Sequence, residues 1–179
     1  SNVTHADKTV IEGAPKAELH LHVEGTIDPE FLFKMAERNG VALQYETPDD
    51  VLNTQLSKKK GTTENLMNFL NCLDQCRGAM RTGEDYFDVS NQMMARLNQN
   101  NVVYAEVFFD PQQALRQGVP FEAMVEGLKQ SQQQGRRDHG VDTKWIMCFQ
   151  RDHPAEEAFD VLKMAEPHRD FIVGVGLDN

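Results

Sequence analysis

The sequence has little that would suit a membrane, a secreted scaffold or a nucleic-acid surface. No stretch approaches the roughly 18 consecutive apolar residues of a membrane span, and the first eight residues lack the apolar core of a signal peptide. These absences predict a soluble protein of the cytoplasm with no membrane partner. Cysteine is scarce, with three in 179 residues. An odd number, with Cys72 and Cys76 spaced as one helical turn, fits reduced thiols better than a disulfide framework or a zinc knuckle. Basic charge is also short: 18 Lys and Arg against 28 Asp and Glu leave a net charge of −10, which disfavours the phosphate contacts of nucleic-acid binding. Ser1 and Asn2 carry nothing that bears on function.

What is present suits a globular chain, 40% hydrophobic and 26% charged. Its length suits one domain or a large part of one. Residues 1–14 read as an N-terminal extension and 15–179 as the domain. From 16 to 23 the residues alternate. Ala17, Leu19, Leu21 and Val23 fall on one side of a strand, with Glu18, His20 and His22 on the other. Asp28 then caps a helix with Pro29 at its first position, and Asn39-Gly40 ends it. Residues 41–63, with Lys58, Lys59, Lys60 and Gly61, show weak periodicity and read as a mobile, lid-like excursion with at most short helices. Helical patterns follow over 63–78 and 83–100.

Strands are predicted over 102–109, 143–149 and 171–177, with helices over 121–138 and 154–166 between them. Strand and helix alternating at this spacing is the rhythm of βαβ units on a parallel sheet. The apolar run 171–177 has no covering helix after it, although parallel strands are normally buried on both faces. A partial (β/α)8 barrel accounts for this better than an open doubly wound sheet, the structural alternative.

His20 and His22, at i and i+2 on one strand, point to the same side, so both imidazoles can reach one ion at about 2.1 Å. Two neighbouring histidines on a polar strand face also arise by chance. Barrel interiors, however, are largely apolar, and barrel active sites lie at the C-terminal ends of the strands, so a metal explains the pair better.

The segment Pro15-Lys16-Ala17-Glu18-Leu19-His20-Leu21-His22-Val23-Glu24-Gly25-Thr26 resembles the first strand of the adenosine and adenine deaminases of the amidohydrolase superfamily. Ala105-Glu106-Val107-Phe108-Phe109-Asp110-Pro111, Gly118-Val119-Pro120-Phe121 and Ile172-Val173-Gly174-Val175-Gly176-Leu177-Asp178 are similar to later segments of the adenine deaminase branch. The resemblance covers 15–179 and implies a TIM (β/α)8 barrel, of which this chain supplies roughly the first four βα units.

It further implies one zinc ion held by His20 and His22, with a third histidine, an aspartate and the proton-shuttling glutamate expected beyond Asn179. No catalytic residue of that set is expected within the chain, and the C-terminal half of the same barrel is the expected partner. A homo-oligomer is compatible with this reading.

The implied reaction is hydrolytic deamination of adenine to hypoxanthine and ammonia, in purine salvage. An adenosine-type nucleoside deaminase is the alternative, and a non-catalytic half-barrel is the alternative of another class. Glu24 stands where the resemblance implies Asp for nucleosides and Glu for the free base. Either it binds substrate together with Gly25, or it caps the local loop. Asp110 either binds substrate or accepts from a loop amide. The resemblance implies that Leu66 and Phe69 form an apolar cover over the purine, although i, i+3 apolar residues also suit ordinary core. Asp178 is expected to back up the metal ligands. His139 is read as a helix-end cation and His168 as outside the site. His153 is read as a solvated loop residue.

Overall fold

The computed structural model describes residues 5–56 and 63–178. Helix α1 (His5–Gly13) precedes β1 (Lys16–His22), and a 3-10 turn, Val23–Thr26, leads into α2 (Pro29–Arg38). Then come α3 (Pro48–Gln55), α4 (Thr63–Ala79), α5 (Gly83–Gln99), β2 (Val102–Phe109), α6 (Pro111–Arg116) and α7 (Phe121–His139). The chain continues through β3 (Asp142–Gln150) and α8 (Ala155–Ala165) to β4 (Ile172–Asp178). The Lys58–Lys60 stretch of the expected excursion lies outside the described residues; before it, α3 is the short helix allowed for.

The helix-start signal read at Asp28 and Pro29 acts where it was read, and the structure adds two capping boxes. The Asp28 side chain accepts from the amides of Glu30 and Phe31, and Pro29 sits in the first turn of α2. Thr47 and Thr82 each form a reciprocal capping box, with Asp50 and Asp85, at the starts of α3 and α5. Helix α7 ends on Gly140 with φ 67°, the left-handed closure that glycine adopts without strain. Two elements went unread: the helix in the N-terminal extension, and α6, a short helix started by Pro111.

The four strands form one parallel sheet in the order β1-β2-β3-β4. A doubly wound sheet reverses its strand order at a switch point. The sheet here runs in one direction without reversal, the winding of a barrel wall.

One face of the central strands carries Ala105, Val107, Phe109, Trp145 and Met147, all buried, in a single core with Met93, Met94, Met124 and Leu128 from α5 and α7. Trp145 joins Phe109 and Phe171 at ring-centroid separations of 6.3 and 6.0 Å. Helices α5 and α7 approach backbone to backbone: a Cβ on Gly127 would fall 2.2 Å from the Gly83 carbonyl oxygen. Cys72, Cys76 and Cys148 are buried free thiols.

The outer strands lack this cover. Leu19 of β1 is 60% exposed, and Val173, Val175 and Leu177 of β4 are 55, 58 and 71% exposed. The wall is complete in its middle and open at both edges.

Candidate functional site

The polar face of β1 meets the ends of the other strands at the C-terminal edge of the sheet, where open α/β sheets and barrels bind ligands. Strand periodicity turns His20 and His22 to the same side, and their Nε2 atoms converge to 3.2 Å. Phe108 of β2 sits against both rings, with centroids 4.6 Å from His20 and 5.2 Å from His22. A Cβ on Gly176 of β4 would fall 3.1 Å from the Phe108 ring. Glycine there leaves room for the ring that flanks the two imidazoles.

The strand ends also gather three carboxylates. Glu24, in the turn after β1, is 1% exposed, Asp110 at the end of β2 is 2% exposed, and Asp178 closes β4. Glu24 Oε1 accepts from the Asp110 amide at 2.9 Å, while its Oε2 is buried with no hydrogen-bond partner. The Asp178 carboxylate lies 3.6 Å from His22 Nδ1. Arg77, from α4, answers this negative charge. One guanidinium nitrogen donates to Asp110 and, at 2.7 Å, to Asp178.

Burial dominates the electrostatics. It pushes Glu24 above the usual carboxylate range, with the Arg77 charge opposing the shift. Asp110 is pushed up to about 9 by burial and then by Glu24, again against Arg77. Burial disfavours the Arg77 cation, yet Asp110, Glu24 and Asp178 outweigh it and raise Arg77 above its ordinary value. Burial and the proximity of the acids thus raise Glu24 and Asp110 together, with Arg77 opposing both shifts. His22 is lowered, first by burial, with Asp178 opposing. It is therefore neutral at pH 7, the form that ligates metals.

Two groups of side chains offer metal-ligand atoms. Ligands about 2.1 Å from a tetrahedral ion lie about 3.4 Å apart. The 3.2 Å between the histidine nitrogens fits a shared ion. Ligand atoms of His22, Asp110 and Cys148 lie within 4.8 Å of one another. Burial pushes the Cys148 thiol up to about 12, however, and Asp110 is already held by Arg77. The histidine pair is the better donor set.

The structure thus brings together His20, His22, Glu24, Asp110 and Asp178. Gly25 packs beside Leu73 of α4. Leu66 and Phe69 lie earlier in α4, towards its N-terminus, and are 57 and 46% exposed. His139 closes α7, as read, and His168, outside the site, pairs with Glu122 and Lys129.

His153 is not a solvated loop residue. Its side chain is 12% exposed and lies 3.5 Å from Glu157, with Gln112 on the same ring nitrogen, because α6 and α8 close over the loop. Sequence reasoning missed Arg77 altogether. The usable signal was a charge count, since three acids at strand ends require a cation from a covering helix.

The adenosine deaminase family model matches residues 15–179. An adenine deaminase of Streptomyces coelicolor is 42% identical over 165 residues, covering 92% of this chain and 47% of that protein. One of Vibrio parahaemolyticus is 36% identical, covering 94% and 48%. The crystal structure of adenine deaminase from Arthrobacter aurescens superposes with a TM-score of 0.81 at 34% identity, covering 92% of this chain and 49% of its own. An amidohydrolase from B. ambifaria with bound Zn shares the fold, with a TM-score of 0.87 at 21% identity over all of this chain and 48% of its own. The chain spans about half the length of the curated relatives it matches. With its one-directional parallel sheet, its paired histidines and a family match from Pro15 onward, the chain belongs to the adenosine deaminase family.

Proposed function

We propose that this chain is the first half of the barrel of a zinc-dependent adenine deaminase, which hydrolyses adenine to hypoxanthine and ammonia in cytoplasmic purine salvage. The observation that carries the reading is the convergence of the His20 and His22 Nε2 atoms beside a buried Glu24 whose Oε2 is unpartnered. Adenine deaminases at 36–42% identity support the free base as substrate.

His20 and His22 would hold the zinc ion, with further ligands from the remaining half of the barrel. Bound there, zinc supplies an activated water at neutral pH by lowering its pKa. The residues of this chain bind and orient. Phe108 walls the imidazoles and keeps bulk water from that side. Glu24, fixed through Oε1 by the Asp110 amide, turns Oε2 to the substrate's ring nitrogens. Its raised pKa lets it donate a proton in a hydrogen bond as well as accept one. Gly25 contributes backbone beside it. Leu66 and Phe69, exposed on α4, are apolar surface for covering a purine.

The alternative substrate is adenosine. The test is the polypeptide completed by the C-terminal half that its relatives carry, loaded with zinc and assayed on both compounds. Ammonia release from adenine that is lost in His20→Ala together with stoichiometric zinc supports the reading. Turnover unaffected by His20→Ala overturns it.

A further inference from the structure

Arg77 is a buried cation whose side chain is 9% exposed, set on a helix separated from its partners by 33 and 101 residues of chain. Such a group is costly to bury, so its contacts must fix something. On one side it holds Asp110, whose backbone amide binds Glu24 Oε1 at 2.9 Å. On the other it holds Asp178, whose carboxylate faces His22 Nδ1 at 3.6 Å. That nitrogen is buried and has no hydrogen-bond partner. Asp178 is thus the acid facing the outer nitrogen of one histidine of the converging pair. Arg77 is one of the groups that hold Asp178.

We propose that Arg77 is a positioning residue, tying the ends of β2 and β4 together through Asp110 and Asp178 so that Asp178 orients the His22 imidazole and Glu24 keeps its place. The inference rests on the reading of His20 and His22 as metal ligands. A carboxylate behind a ligating histidine fixes its tautomer and ring orientation, and losing such a partner typically costs 10–100-fold in metal affinity. The guanidinium is suited to this because it stays charged when buried, whereas a lysine readily loses its proton in such a site.

The experiment uses the barrel-complete protein and measures zinc affinity by chelator competition for wild type, Arg77→Lys and Arg77→Gln, with histidine ¹⁵N spectra of each. Wild type should bind one zinc, lost in His20→Ala; if it does not, the metal-site reading fails before the inference is reached. Given that, zinc affinity should fall about 10-fold in Arg77→Lys and towards 100-fold in Arg77→Gln. The His22 Nδ1 and Nε2 resonances should shift towards a mixture of tautomers while those of His168 stay fixed. An exclusively structural arginine would lower the melting temperature and leave the His22 signals of the folded fraction unmoved. Unchanged zinc affinity and His22 spectra in either folded variant overturn the proposal. Should Arg77→Gln fail to fold, Arg77→Lys decides alone.

Discussion

At the residue scale, the proposed reading places specificity on Glu24. Its fully buried carboxylate has one oxygen fixed by the Asp110 amide and one left unpartnered. Glu24→Gln keeps the volume and removes the acid. Disturbing a buried hydrogen bond costs about 1–3 kcal/mol, so kcat/KM for adenine should fall about 5–150-fold, and steady-state kinetics with zinc at saturation check it. Glu24→Asp retracts the carboxylate by one methylene and should narrow the preference for adenine over adenosine, read as the ratio of their kcat/KM values.

His20, His22 and Glu24 could be picked out from sequence because a strand's period of two and a short motif are local. Arg77 could not, since its partners are 33 and 101 residues away and only the closing of α4 over the strand ends brings them together. His153 was misjudged for the same reason: its loop is covered by side chains from α6, 41 residues away.

At the scale of elements, α5 carries the largest share of local instruction. Thr82 and Asp85 cap its start, and the Asp85 carboxylate also accepts from the amides of Arg81 and Thr82 at 2.8 Å and from the Asn39 side chain at 2.9 Å. Thr82→Ala should therefore cost about 1 kcal/mol, measured by denaturant unfolding. The α5–α7 contact is set by glycine. Gly127→Ala would place a methyl group 2.2 Å from a backbone oxygen that cannot swing away. Forcing the helices apart should cost about 1–3 kcal/mol or more, and a variant as stable as wild type would contradict the packing described. These helices were legible because 3.6-residue periodicity is written locally, whereas the Thr82 cap went unread. Helix α6 was hidden because its six residues are too few to show a period, and Pro111 reads equally well as the end of a strand or the start of a helix.

At the scale of the whole molecule, the strand order makes this a wall that winds one way and stops open at both edges. The exposed apolar side chains of Leu19, Val173, Val175 and Leu177 lie on or beside strands with unpaired backbone. The 179-residue chain by itself should therefore self-associate, giving species larger than 20.3 kDa by light scattering at micromolar concentration. A monodisperse monomer with a sharp unfolding transition would contradict this. The βα alternation behind the barrel reading could be inferred from strand spacing, whereas the sheet order that shows its winding could not, since it depends on pairings made across 27 residues or more.

The central claim is that the paired histidines and Glu24 form the free-base half of a purine deamination site. It is tested most directly by the ratio of kcat/KM for adenine to that for adenosine in the zinc-loaded, barrel-complete protein. The account predicts a ratio of at least about 10², the discrimination available when one substrate leaves a buried polar group unpaired or cannot fit beside it. Equal values, or a preference for adenosine, would contradict it.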